Sequence, residues 1–219
     1  MEKDALRNSL CKSFTDLYDL GLNTQKAGNI SAKTGDTMLI SPSGISVLDI
    51  TPDKFVEVEI GSGELTQGEF APSSEWRFHN DIYRNFPENR AIIHTHSPYA
   101  TALSCLGYEL PPFHYMVANF GVGSIECARY ETFGTTELSL SVIDAIKDSK
   151  ACFLANHGVI IVGATLKDAF DNTLLLEELA RMYTITLSVG KPKILSKTEM
   201  TKLKKKFKTY GKASDIEKR

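Results

Sequence analysis

The chain of 219 residues has no run of 18 apolar residues, so no membrane span is expected. It has no excess of either charge: 25 lysines and arginines face 27 aspartates and glutamates, a net charge of −2. A chain so balanced offers no basic field to a nucleic acid. Four cysteines occur, Cys11, Cys105, Cys127 and Cys152, none in C-x-x-C spacing. That spacing argues against a local thiolate zinc site and for reduced thiols rather than a disulfide frame. The opening "MEKDALRNSLCKSF" is charged and lacks the apolar core of a signal peptide, so a cytoplasmic location is expected. Repeats and low-complexity segments are absent. So are G-x-x-x-x-G-K-[ST], a well-placed G-x-G-x-x-G and H-E-x-x-H, which removes a nucleotide loop and a zinc-protease helix from consideration.

What is present reads as one domain mixing strands and helices, with 42% hydrophobic and 24% charged residues. Leu6, Leu10, Phe14, Leu17 and Tyr18 share a helical face, and Gly21 can end that helix. "TMLISPSG" reads as a strand entering a turn, and "FVEVEI" (55–60) as a half-buried strand. "SSEWRFHNDIYRNF" has helical spacing, with Ser73 or Ser74 as its N-cap. A helix is expected after Pro98, another after Thr135 or Thr136, and a long amphipathic one from a Thr165 cap to Gly190. "ACFLANHGVIIVG" reads as two strands broken at Asn156-His157-Gly158. A charged, mobile tail is expected from about residue 197, within a single domain spanning 1–219.

The chemistry starts from "AIIHTHSPYA", residues 91–100. In a strand, residues two apart point to the same side, so His94 and His96 can converge on one ion. His157, at a strand end beside Gly158, is the third candidate. Three histidines with an open position form the pattern of a catalytic divalent site. Glu75 stands at a helix start, where a carboxylate is commonly a partner of the helix dipole. Beside a metal it becomes a ligand or a general base. Burial would raise its pKa, while the helix end and the metal would lower it. The clusters "AGNIS" (27–31), "SPSG" (41–44) and "APSSE" (71–75) are ordinary turn and cap chemistry individually, but together could cradle a phosphate.

"GNIS", "SPSG", "SSEW", "HTHSPYA", "FGT" and "NHGVIIVG" occur in this order with a familiar spacing. In them the chain, from about Asp4 to Gly211, resembles the class II, metal-dependent aldolase family of L-fuculose-1-phosphate aldolase, L-rhamnulose-1-phosphate aldolase and L-ribulose-5-phosphate 4-epimerase. The tail "FKTYG" (207–211) is nearest the L-fuculose-phosphate branch. The resemblance implies a three-layer α/β/α sandwich around a largely antiparallel sheet, and a homotetramer with sites between subunits. It implies zinc on His94, His96 and His157, with Glu75 as ligand and acid/base; manganese or cobalt also suit such ligands. It implies a phosphate set of Asn29, Ser43, Gly44, Ser73 and Ser74, with Gly28 shaping the first loop. Tyr115 would donate a proton into a neighbouring subunit's site, and Phe207 and Tyr210 would close over substrate.

The implied activity is reversible cleavage of a ketose phosphate, like L-fuculose 1-phosphate, to dihydroxyacetone phosphate and an aldehyde. The rivals on the same scaffold are a decarboxylase of a keto-acid (3-oxo-tetronate) phosphate, an epimerase and a dehydratase. The epimerase branch uses an aspartate in the loop after the histidine strand, and "FHYMVANFGVG" has no acidic residue. A non-catalytic oligomeric interaction module is the rival from another class. It would be free to lose the ligands that this chain keeps.

Overall fold

The structure is a computed structural model and describes residues 2–210. Gly211, the end of the "FKTYG" match, and the rest of the tail lie outside the described residues. Eight strands form one sheet in the order β4-β3-β2-β1-β5-β8-β7-β6. The strands are β1 (Asn29–Thr34), β2 (Thr37–Ile40), β3 (Val56–Glu59), β4 (Leu65–Gln67), β5 (Ala91–Thr95), β6 (Cys127–Ala128), β7 (Ala151–Leu154) and β8 (Gly158–Gly163). Every pairing is antiparallel except β6 with β7.

Helices α1 (Glu2–Asp19), α3 (Pro98–Cys105) and α5 (Leu166–Val189) cover one face; α2 (Trp76–Asn85) and α4 (Thr136–Ile146) cover the other. The sheet sorts side chains by its two-residue period. Ile92 joins Phe78, Ile82, Leu138 and Val142 under α2 and α4, whereas Ala91 and Ile93 join Leu10, Phe14 and Leu17 under α1. Both faces are therefore dry, which is the three-layer sandwich expected. Thr165 caps α5 by accepting from the Asp168 N–H, and Thr135 caps α4 by accepting from Leu138.

Four expectations need correction. The N-cap of α2 is Glu75, with no side-chain cap bond, rather than Ser73 or Ser74; Ser73 Oγ accepts from the Glu75 N–H at 3.3 Å. "AGNIS" is not only a turn, since Asn29 opens β1 and pairs with His94 of β5. Strand β3 is not half exposed at Glu57, which is 4% exposed. The charged segment after 197 carries a packed helix, α6 (Lys197–Phe207), anchored by fully buried Met200 against the Tyr115–Asn119 turn region. Among the described residues, no helix is long and apolar enough to cross a membrane.

Candidate active site

Strand β5 delivers His94 into the α2/α4 layer, fully buried. His96 follows just past the strand end, and its backbone N–H donates to Asn23 Oδ1 at 3.2 Å. His157 sits in the tight turn between β7 and β8. There Asn156 takes a φ of 56°, which few residues other than glycine adopt. At Gly158 an added Cβ would lie 2.5 Å from the Thr95 carbonyl oxygen, so only glycine lets β8 approach the histidine strand this closely.

The three imidazoles converge. Their ligand atoms all lie within 4.8 Å of one another, with Nε2 of His94 and His96 3.0 Å apart. The rings stand nearly perpendicular, with centroids 4.8–5.0 Å apart. His94 Nδ1 lies 2.9 Å from the Val159 carbonyl oxygen. A carbonyl only accepts, so Nδ1 carries the hydrogen and Nε2 presents a lone pair to the centre. Burial pushes His94 down to about 3 and His157 to about 4, so both rings are neutral, as metal ligands must be.

Glu75 closes the group. Its Oε2 is 3.3 Å from His94 Nε2 and its Oε1 3.4 Å from His157 Nε2. Asn29 Nδ2 donates to Oε2 at 2.9 Å, while buried Oε1 accepts no hydrogen bond. Burial raises the carboxyl; the His157 imidazole, the Asn29 bond and His96 oppose it, and the net displacement is upward. Between the competing influences named from the sequence, burial is the stronger among the protein groups. An orphaned carboxylate oxygen beside three imidazole lone pairs fits a divalent cation, and no thiolate is near to suggest a closed structural site.

This centre floors a cavity of ≈ 350 Å³. Gly28, Asn29, Ser43, Gly44, Ser73 and Ser74 all line it, together with Glu75, His96 and His157. Gly28, at a φ of 74°, has no room for a Cβ, which would lie 2.6 Å from the His94 carbonyl oxygen. The structure thus brings together every sequence-predicted residue of the cradle and the metal group. It does not bring Tyr115, Phe207 or Tyr210 to the cavity of their own chain. Tyr115 is 47% exposed and its ring lies 6.1 Å from that of Phe207; Tyr210 is 66% exposed.

Lys26, Tyr130, Glu131, Phe133 and Asn156 also line the cavity, and reading the sequence singled out none of their side chains for a role. Phe133 is the first residue of the quoted "FGT" and Tyr130 lies three residues before it, a signal that could have found them. A larger cavity, ≈ 830 Å³, lies along the β6 edge beside α4 and α6. Its lining mixes Glu126, Arg129, Asp144 and Lys147 and contains no histidine.

Known proteins resemble this chain over nearly its whole length. The sequence profile of the Class II Aldolase and Adducin N-terminal domain matches residues 8–184. The 5-methylthioribulose-1-phosphate/5-deoxyribulose-1-phosphate aldolase of Rhodospirillum rubrum is 45% identical over 207 residues, covering 94% of this chain and 93% of that protein. The L-fuculose phosphate aldolase of Escherichia coli K12 is 40% identical over 212 residues, covering 96% and 98%. A solved L-fuculose 1-phosphate aldolase superposes with a TM-score of 0.89 at 35% identity, covering 92% of this chain and 95% of that one. The relatives named are aldolases, which are carbon–carbon lyases, and the chain belongs to the class II aldolase family.

Proposed function

We propose that this enzyme is a metal-dependent aldolase that reversibly cleaves a ketose 1-phosphate to dihydroxyacetone phosphate and an aldehyde. The observation that carries this reading is the floor of the cavity. Three imidazole nitrogens and an unpaired carboxylate oxygen meet beneath a rim of hydroxyls, amides and turn glycines. A site kept only for protein contacts would have no reason to bury that set.

Cleavage next to a ketone leaves an enediolate. His94, His96, His157 and Glu75 would hold zinc or another divalent ion, which would supply a Lewis acid for that negative charge. Glu75, whose Oε1 accepts no hydrogen bond and faces the centre, moves the proton at carbon. Asn29, Ser43, Gly44, Ser73 and Ser74 hold the phosphate, and Lys26 offers it a positive charge at the cavity wall. Anchoring that end orients the bond to be broken. Tyr130 and Phe133 add aromatic surface to the same cavity, and we place the far end of the sugar against them. Such a wall suits a ketose whose far carbon lacks a hydroxyl, and both named relatives act on ketose phosphates. This supports a deoxy-ketose 1-phosphate over a fully hydroxylated one.

Tyr115 lies exposed and off its own cavity. We assign it to a neighbouring subunit's site in a homotetramer, where its phenol serves the departing aldehyde oxygen. The test is a panel of ketose 1-phosphates, including L-fuculose and 5-deoxyribulose 1-phosphates, with dihydroxyacetone phosphate measured by coupled reduction. Release from at least one supports the reading. Release of carbon dioxide from a keto-acid phosphate instead would identify the decarboxylase.

A further inference from the structure

His79 is fully buried, one turn along α2 from Glu75, and belongs to neither the metal group nor the cavity lining. Helix residues Glu75, His79 and Tyr83 are four apart and share one face. Strand residues Asn29 and Ser31 are two apart and share one face of β1. The two sets interdigitate. Tyr83 Oη lies 2.8 Å from Ser31 Oγ, and Ser31 Oγ 2.7 Å from His79 Nδ1. His79 Nε2 lies 2.5 Å from Asn29 Oδ1, and Asn29 Nδ2 lies 2.9 Å from Glu75 Oε2.

The chemistry of the ends fixes the direction of every bond. Asn29 turns its amide nitrogen to Glu75 Oε2, which accepts. Asn29 Oδ1 must then accept from His79, which places the ring hydrogen on Nε2. Burial holds the imidazole neutral, so Nδ1 has a lone pair and accepts from the Ser31 hydroxyl. Ser31 Oγ in turn accepts from Tyr83. An amide does not pass protons along as an imidazole does, so the chain orients groups and does not conduct.

We propose that His79 is a positioning residue: by donating from Nε2 to Asn29 Oδ1 it fixes which end of that amide faces the cavity. With Oδ1 held by His79, Asn29 presents only N–H donors, one to Glu75 and one to an anionic ligand. A turned amide would set a carbonyl oxygen against both the carboxylate and the anion. The bond also keeps Glu75 Oε2 an acceptor and leaves Oε1 for the reacting centre. The part concerning the anion rests on the phosphate reading of Asn29; the hydrogen on Nε2 does not.

Long-range proton–nitrogen NMR of the full ¹⁵N-labelled chain tests the ring directly. Among five histidines, His114 is assigned by loss of its signal in His114→Gln, and three shift when metal is loaded; the remaining ring is His79. The expected ring carries hydrogen on Nε2 and none on Nδ1 between about pH 5.5 and 8.5. Hydrogen on Nδ1, or on both nitrogens, would overturn the proposal whether or not the protein is an aldolase. A pair of variants tests the consequence with inorganic phosphate as the probe, measured by calorimetry. In His79→Gln the amide nitrogen replaces Nε2 as donor; in His79→Asn the shorter side chain cannot reach Asn29. Phosphate affinity and the KM of a cleaved ketose phosphate should stay within about threefold in the first and weaken about tenfold or more in the second. Equal weakening in both, in step with loss of thermal stability, would reduce His79 to a packing residue.

Discussion

Among the described residues two glutamates are buried, and their surroundings differ in kind. Glu57 on β3 is 4% exposed and Glu75 at the start of α2 is 6% exposed. Lys3 Nζ and Thr37 Oγ1 donate to Glu57 at 2.6 and 2.7 Å. Burial pushes its carboxyl up, but those two bonds and the Lys3 charge outweigh it, and the net displacement is downward. Glu75 has one donor, Asn29, and an oxygen with none. Its net displacement is upward, with burial the largest cause. One carboxylate has an ammonium and a hydroxyl donor on its Oε1 and ties the N-terminal helix to the sheet. The other is left short of partners beside three imidazoles. Burial alone therefore says little about a role, whereas burial without pairing marks the group kept for a ligand.

The largest effect should separate the two in turnover. Glu75→Gln keeps size and the Asn29 contact but removes the acid/base group. Dihydroxyacetone phosphate release should fall by about 10²–10⁴-fold. Glu57→Gln should leave turnover per folded enzyme unchanged. Equal losses, measured on protein with the same folded fraction, would erase the distinction.

Subunit mixing tests whether the Glu75 site is completed by another chain. Tyr115→Phe and His96→Ala subunits should each be inactive and should recover a measurable minority of activity after exchange. No recovery after confirmed exchange would return Tyr115 to its own chain as a packing residue.

The cradle above Glu75 gives a smaller effect. Ser73→Ala and Lys26→Met should each raise KM for the ketose phosphate about tenfold with little change in kcat. Unchanged KM in both would remove the phosphate from that end of the cavity.

The smallest effect is on stability and has opposite signs at the two sites. The folded pKa of Glu57 is depressed, so its stabilisation is present above the unfolded value of about 4.3 and is lost as pH falls below it. The folded pKa of Glu75 is raised, so the metal-free fold binds that proton more readily and loses stability as pH rises from about 4.3. In metal-stripped protein at neutral pH, Glu57→Gln should lower the urea midpoint, at a cost of about 1–3 kcal/mol, and Glu75→Gln should raise it. Shifts of the same sign would show that the two environments do not differ as described.

Much of this was legible in the sequence because it follows from spacing. His94 and His96 are two apart at the end of a strand, His157 sits at a strand break, and α1, α4 and α5 show helical periodicity and side-chain or glycine punctuation. β1 was missed because its face towards α2 carries Asn29 and Ser31, polar residues that break the apolar alternation of a buried strand. Those are the residues that bond to His79, so the same ladder concealed both the strand and the role of His79. β4 and β6 are edge strands of three and two residues, too short for any period to show. Glu57 read as exposed because its partner Lys3 lies 54 residues away, and no local pattern reports such a pairing.

Metal removal and return, on one preparation, tests the central claim most directly. The chelated enzyme should release no dihydroxyacetone phosphate from its ketose phosphate, and about one equivalent of zinc per chain should restore release. His157→Ala should neither hold that equivalent nor recover. Full activity after verified metal removal, or normal occupancy and turnover in His157→Ala, would contradict a centre built on His94, His96, His157 and Glu75.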